Sequence, residues 1–123
     1  KKQVVPKRYY SHLYTEFALT YKAKYRKWRH KLVKKMLDRG RKYGDKTDPG
    51  LNMTYGRLYL ERRRPNYDAA MRYIQKVVDV APYKCDAVEA LRTLYSKAKK
   101  EQKEIDALEE IYNANCAPAE EQK

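Results

Sequence analysis

The sequence predicts an all-α protein, in which a long basic N-terminal helix packs against two helical hairpins. Its apolar residues recur at steps of three or four, whereas strands would alternate at every second residue. One apolar spacing occurs twice, at Ala70, Ile74 and Val77 and again 37 residues later. Asn66 is suited to cap one of these helices and Pro82 to end it. A chain of 123 residues is expected to form one domain with a thin core.

Charge is distributed unevenly along the chain. Residues 1–64 hold 20 of the 29 Lys and Arg and 5 of the 16 Asp and Glu, a net charge of +15, whereas residues 65–123 hold 9 and 11, a net charge of −2. Such an excess indicates a polyanionic partner for the first half, with nucleic acid ahead of an anionic membrane surface. The alternative is a solvated helix flank that keeps the protein soluble. The 13 tyrosines favour wet interfaces and stacking on bases.

Residues 1–10 are predicted to form a basic arm, because Pro6 forbids a helix through that position. A frayed terminus is the alternative. The chain begins with Lys1 rather than Met, which indicates a processed or excerpted product and is compatible with a removed targeting segment.

Residues 11–39 are predicted to form a single long helix, roughly 40 Å in length at about 1.5 Å per residue. Ser11 is its expected N-cap, and Gly40 is its expected left-handed C-terminal residue. One face is apolar and aromatic and is expected to pack against the rest of the chain, while the opposite flank is almost wholly cationic. The packing face consists of Leu13, Phe17, Tyr21, Tyr25, Trp28, Leu32 and Met36.

Residues 40–52 are rich in turn-forming residues and are predicted to form a loop. Within it, Asp45 and Asp48 are expected to be turn and cap residues, because their spacing does not match a calcium-binding EF-hand loop.

A helix over residues 53–64 is expected to end in three consecutive arginines. The helix dipole favours cations at this end, but three arginines in a row cannot all cap one helix. At least one of Arg62, Arg63 and Arg64 is therefore expected to project outward, as a fork suited to phosphate.

The segment N-Y-D-A-A-M-R-Y-I-Q-K-V-V-D-V-A-P, residues 66–82, resembles the second helix of a tetratricopeptide repeat. It has a small residue early in the helix, bulky apolar residues four and seven positions later, and a closing proline. The segment I-D-A-L-E-E-I-Y-N-A-N-C-A-P repeats this pattern. The resemblance covers residues 51–118 and implies two antiparallel hairpins over 53–118, with a surface that often binds peptides or proteins. It does not imply catalysis.

Two smaller predictions concern the ends of this region. Asp86 to Glu89 has the form of a capping box at the start of a helix that runs to about Lys99. Residues 119–123 are expected to be a polar tail.

Neither catalysis nor metal binding is expected. His12 and His30 are expected near opposite ends of the long helix, and the chain has no glycine-rich phosphate loop. Cys85 and Cys116 form no C-x-x-C pair, so they are predicted to be small buried residues in a reducing compartment rather than zinc ligands. No enzyme activity, catalytic residue, cofactor, metal or small-molecule substrate is therefore expected.

The expected function is that of a structural RNA-binding protein, specifically a mitochondrial ribosome subunit. Its basic helix would bind rRNA, and its helical repeats would contact neighbouring proteins of the ribonucleoprotein. The mitochondrial matrix is inferred from the basic character and the missing initiator Met, with the cytoplasm left open. The alternative is a tetratricopeptide-like adaptor, or an accessory subunit of a large mitochondrial membrane complex, without a transmembrane segment of its own.

The predicted RNA-binding residues are the cations of the arm, the long helix and the three arginines. They are Lys7, Arg8, Lys22, Lys24, Arg26, Lys27, Arg29, His30, Lys31, Lys34, Lys35, Arg39, Arg41, Lys42, Arg62, Arg63 and Arg64. If about six phosphates are neutralised, the logarithm of affinity should fall against the logarithm of salt concentration with a slope of about −5.

Overall fold

A computed structural model describes residues 5–118, which form six helices and no strand. The helices are α1 Lys7–Tyr25, α2 His30–Tyr43, α3 Pro49–Leu60, α4 Tyr67–Val80, α5 Cys85–Ala98 and α6 Gln102–Asn115. Consecutive helices pack against one another, and α3 also contacts α1. The all-α prediction is confirmed. None of the helices formed by residues 5–118 combines the length and the apolarity that crossing a bilayer requires.

Successive helices run in opposite directions. The start of α1 lies beside the end of α2, where Ser11 bonds to Asp45, and the start of α5 lies beside the end of α6, where Cys85 meets Cys116. The connecting loops therefore alternate between two ends of the molecule. We call the end with loops 26–29, 61–66 and 99–101 the top, and the end with loops 44–48 and 81–84 the bottom.

The prediction of a single helix over residues 11–39 is wrong, because the chain reverses direction between Tyr25 and His30. Arg26 and Arg29 adopt left-handed backbone conformations, with φ of 57° and 46°. Trp28 lies between them and is buried. The apolar spacing continues through the reversal, so it predicted a continuous helix where the chain folds back as α2.

Ser11 and Gly40 are not the predicted cap residues, because both lie inside helices. The buried hydroxyl of Ser11 accepts a hydrogen bond from the backbone N–H of Asp45 at 2.9 Å. A Cβ on Gly40 would lie 3.1 Å from the Cβ of Tyr14. Small side chains at these two positions allow α1 and α2 to approach closely.

The aromatic face predicted to pack is only partly buried on α1, where Tyr21 packs against the core and the fully buried side chains are small. The buried residues of α1 are Ser11, Thr15 and Ala18. The exposed members of the predicted packing face are Phe17, Tyr25 and Leu32. Trp28 is buried, as predicted. Because small residues also recur at steps of four and three, α1 carries two possible packing faces, and the prediction from residue size was right for Tyr21 and wrong for Phe17 and Tyr25.

The predicted basic arm is shorter than expected, because α1 begins at Lys7. Pro6 precedes the helix, where a fixed φ and a missing N–H are tolerated. Residues 7–10 are therefore helical. The rest of the predicted arm at residues 1–4 and the predicted polar tail at 119–123 lie outside the described residues.

The predicted loop at 40–52 is also shorter, because α2 continues to Tyr43 and α3 begins at Pro49. Asp48 caps α3, since its Oδ1 accepts the backbone N–H of Leu51 at 3.3 Å. The Oδ1 of Asp45 accepts the backbone N–H of Thr47 at 2.8 Å. The predicted turn and cap roles of the two aspartates are thus confirmed.

The second half follows the predicted helices more closely. Asn66 caps α4, accepting the backbone N–H of Ala69 at 3.1 Å, and α4 ends at Val80 ahead of Pro82. The predicted capping box is wrong, because Asp86 lies inside the first turn of α5.

The cysteines form a disulfide between the start of α5 and the residue that follows α6, with Cα atoms 5.5 Å apart. The prediction that Cys85 and Cys116 are separate buried thiols is therefore wrong. They are 31 residues apart and carry no local motif, so only the antiparallel packing of α5 and α6 brings them together. The prediction of a reducing compartment assumed that the two cysteines do not form a disulfide, so it is no longer supported.

Candidate nucleic-acid interface

The reversal between α1 and α2 faces the loop between α3 and α4 across a cleft of 390 Å³ at the top of the molecule. We call it the cationic cleft, because six lysines and arginines line it. They are Lys22, Arg26, Lys27, Arg29, Arg62 and Arg63. Trp28, His30 and Glu61 complete the lining. Within the described chain, the arrangement brings together cations from two segments that are far apart in sequence.

Two of the three consecutive arginines, Arg62 and Arg63, reach the cleft, and α3 ends earlier than predicted. The helix stops at Leu60, and residues 61–64 form a bend instead of a last helical turn. Arg62, Arg63 and Arg64 are exposed. None of the acidic groups at residues 5–118 lies within 4.0 Å of their charged nitrogens. Their charges are therefore available to an external anion.

The carboxylate that lines the cleft, Glu61, is already engaged within the protein. It lies 2.7 Å from Nε of Arg57 and 3.7 Å from Nζ of Lys22, and it accepts the indole N–H of Trp28 at 3.4 Å. Burial alone would raise the pKa of Glu61, but these partners together lower it below its ordinary value. Glu61 stays charged and compensates Arg57 and Lys22, while the other lysines and arginines of the cleft form no ion pair among residues 5–118.

Trp28 supports the cleft from beneath and is 6% exposed. Nζ of Lys22 lies 5.6 Å from the centroid of its ring, and Cζ of Arg57 lies 5.3 Å away, both within the range of cation–π attraction. These contacts hold the α1–α2 reversal against the end of α3. Trp28 is therefore a structural residue and offers no free face for stacking on a base.

His30 opens α2 and lines the cleft, with its ring edge against Tyr59 and the ring centroids 5.1 Å apart. Its Nδ1 is buried and has no hydrogen-bond partner in the described part of the chain. Burial, followed by the charges of Arg62 and Lys34, lowers the pKa of His30 below its ordinary value. His30 is thus disfavoured as a cation in the free protein, although it was predicted as one.

The remaining predicted residues lie away from the cleft. Lys7 and Arg8 are at the bottom, beside Asp45 and Lys46. Lys24 extends over the ring of Tyr25 on α1. Six others lie along α2, and they are Lys31, Lys34, Lys35, Arg39, Arg41 and Lys42. Arg64 lies in the loop between α3 and α4 but is not part of the cleft lining. Of the predicted residues, the structure therefore gathers only part into one site.

Two predicted cations on α2 have partners or neighbours of their own. Lys34 forms an ion pair with Asp38 at 2.9 Å. Arg41 lines a separate groove of 630 Å³, where Tyr59 and Tyr73 lie near cations that the sequence did not single out. Those cations are Arg72, Lys76 and Lys100. These residues lie on α4 and after α5, in the half of the chain whose net charge is negative. The net charge of that half therefore did not indicate them as binding residues.

No protein-family model, curated protein or solved structure matched the chain. The tetratricopeptide resemblance therefore stays a prediction from residue pattern. The structure supports a coarser statement, which is that six helices pack as sequential pairs.

Proposed function

We propose that this chain is a structural RNA-binding protein that holds an RNA phosphate backbone in the cationic cleft. The observation that supports this is the convergence of Arg26, Lys27 and Arg29 with Arg62 and Arg63 around one cleft. Like charges gathered at one place disfavour the compact state unless counter-charge is supplied. A polyanion would supply that counter-charge.

The chemistry of the cleft suits phosphate better than bases. Arginine presents a planar fork that binds phosphate oxygens through paired hydrogen bonds. Trp28 is buried, so the cleft lacks an open indole face for reading or stacking a base. Phosphate contacts fix the position of a protein on RNA but carry no sequence information. The proposed binding is therefore strongly salt-dependent and largely independent of sequence.

The proposed setting is a large ribonucleoprotein, a mitochondrial ribosome in the matrix, where the chain would contact rRNA at its top. The α3–α6 region, with its tetratricopeptide-like pattern, would contact neighbouring proteins. Two features support an assembled setting: the density of unpaired cations at one end, and the large side chains exposed on α1. Among the latter, Phe17 and Tyr25 are each 49% exposed. A neighbouring protein of the assembly would cover these side chains.

The exposed aromatic side of α1 also favours the second candidate function, a protein–protein adaptor or an accessory subunit of a mitochondrial membrane complex. In that case Phe17 and Tyr25 would be the contact residues, and the cationic cleft would face acidic lipid or an acidic protein. Co-sedimentation with phosphatidylserine vesicles, without retention of RNA, would favour this candidate over the first.

The first candidate is tested by neutralising two cleft arginines. In the variant Arg62→Gln/Arg63→Gln, affinity for a labelled RNA stem-loop should fall about tenfold at 100 mM salt, measured by fluorescence anisotropy. The matched control is Lys46→Gln/Lys84→Gln, which removes the same charge from exposed residues at the bottom. The control should change affinity less than about twofold. Equal losses in both variants, or no binding by the wild-type protein, would argue against the proposal.

A further inference from the structure

We infer that the RNA-binding surface extends beyond the cationic cleft, across the top of the molecule to the last turn of α5 and the α5–α6 loop, where Lys97, Lys99 and Lys100 contact further phosphates. The inference rests on the proposed function and deepens it. It assigns RNA-binding residues to residues 65–123, where the net charge is negative and the sequence predicts contacts with neighbouring proteins.

Chain connectivity and one side-chain contact connect the two regions. The loop with Arg62 and Arg63 leads directly into α4, whose first residue is Tyr67. Nζ of Lys97 lies 5.9 Å from the centroid of the Tyr67 ring. The last turn of α5, which leads into the α5–α6 loop, therefore adjoins the first turn of α4, and the α3–α4 loop before it forms one wall of the cleft. With neighbouring helices about 8–10 Å apart, the three top loops present cations over roughly 20 Å.

Backbone conformation sets three of these cations apart. Within residues 5–118, the non-glycine residues with positive φ are Arg26, Arg29 and Lys99, at 57°, 46° and 53°. All three are cations, and all three lie in top loops. Residues with a Cβ are disfavoured in the left-handed region, where glycine is the usual choice. None of the chain's glycines occupies such a position. Arginine and lysine therefore occupy positions where glycine would be less strained, which indicates that their side chains have a role in binding.

Lys99 illustrates the conflict most clearly. Its backbone N–H donates to the carbonyl of Ser96 at 3.4 Å, and that of Lys100 donates to the carbonyl of Tyr95 at 3.2 Å. This pair of bonds is the Schellman motif, with Lys99 at the left-handed position that glycine usually fills. Lysine thus ends α5 at a site where its own backbone preference is unfavourable.

The charges of these lysines are not compensated within the described chain. Lys97, Lys99 and Lys100 form no ion pair there. The nearby acids Glu101 and Glu104 lie at the start of α6, where the helix dipole attracts negative charge. At the bottom, by contrast, the loop cations Lys46 and Lys84 are interspersed with three aspartates. These are Asp45, Asp48 and Asp86. The top is therefore the cationic end, and a phosphodiester backbone is the ligand that fits it.

The test compares RNA binding with stability in the variant Lys99→Gly. Glycine relieves the left-handed conformation, so the melting temperature should equal or exceed that of the wild-type protein. Loss of one phosphate contact should make the log–log salt slope of RNA binding shallower by about 0.7 to 0.9. Lys99→Asn, which is neutral and tolerates this conformation, should behave alike. Lys99→Arg keeps the charge and should retain the wild-type slope.

Weaker RNA binding should thus occur without a lower melting temperature, which loss of folding alone cannot produce. An unchanged slope in Lys99→Gly, beside a shallower slope in Arg62→Gln/Arg63→Gln, would overturn the extension and leave the proposed function standing. Absence of RNA binding by the wild-type protein would overturn both. A lower melting temperature in both Lys99→Gly and Lys99→Asn would overturn the premise that Lys99 is held against its backbone preference.

Discussion

The phenol of Tyr55 in α3 donates a hydrogen bond of 2.6 Å to the carboxylate of Asp38 in α2. Tyr55 is fully buried, and its ring stacks on Tyr73 of α4 with the ring centroids 4.4 Å apart. One side chain therefore connects three helices. By fixing α2 against α3, it also holds the α1–α2 reversal beside the loop that carries Arg62 and Arg63.

Replacing Tyr55 with Phe should destabilise the protein by about 1–2 kcal/mol, because a hydrogen bond to a charged acceptor is lost while the ring packing is kept. The free energy of unfolding in urea measures this effect. Tyr43→Phe makes the same chemical change at a side chain that is 52% exposed, and it should be nearly neutral. Equal stability of the two variants would show that the Tyr55–Asp38 bond contributes nothing.

Gly56→Ala should also destabilise the protein, because the new Cβ would lie 2.6 Å from Cγ1 of Ile74. Overpacking of this kind costs about 1–3 kcal/mol, more than the helix propensity gained by alanine. In an Ile74→Ala background the same change should be neutral or stabilising, since the clashing atoms are gone. If Gly56→Ala costs equally in both backgrounds, α3 and α4 do not meet at this point.

Reducing the Cys85–Cys116 disulfide should lower the free energy of unfolding by about 3–4 kcal/mol, because the bond closes a long loop in the unfolded chain. Unfolding in urea with and without dithiothreitol measures the difference. The variant Cys85→Ser/Cys116→Ser should match the reduced protein and be insensitive to reductant. Two free thiols in the untreated, denatured protein would contradict the assignment.

Acidification should destabilise the free protein through His30. Its folded-state pKa is lowered from 6.5, first by burial and then by Arg62 and Lys34. Below about pH 6.5 the unfolded chain therefore binds more protons than the folded one, and stability falls as the pH falls. His30→Gln should weaken this dependence, whereas His12→Gln, at an exposed position on α1, should not. Thermal melts at pH 7.5 and 5.5 would distinguish the variants, and identical dependence in both would contradict the role of His30.

The helices of the second half could be predicted because their signals are local. Asn66 caps α4 through its own side chain, and Pro82 follows the end of the helix within two residues. The disulfide could not be predicted in this way, since the two cysteines are 31 residues apart and meet only through tertiary packing.

The α1–α2 reversal was concealed for a different reason. Arg26 and Arg29 make the turn without the glycine or proline that normally marks one, while the apolar spacing continues through Trp28. The candidate site could not be predicted for the same reason, because it depends on this reversal. The charge of the basic residues could be read from the sequence. Their convergence with Arg62 depends on a turn at residues 26–29, where the sequence has no glycine or proline to indicate it. Their role in RNA binding stays a prediction.

The salt dependence of RNA binding would test this role most directly. Between 50 and 200 mM salt, the slope of log affinity against log salt concentration for the wild-type protein and an RNA stem-loop should be about −5, as expected for about six phosphate contacts. The variant Arg62→Gln/Arg63→Gln should give a slope shallower by about 1.4 to 1.8, because two contacts are lost. A wild-type slope near zero, or the same steep slope in both proteins, would contradict binding of a phosphate backbone in the cationic cleft.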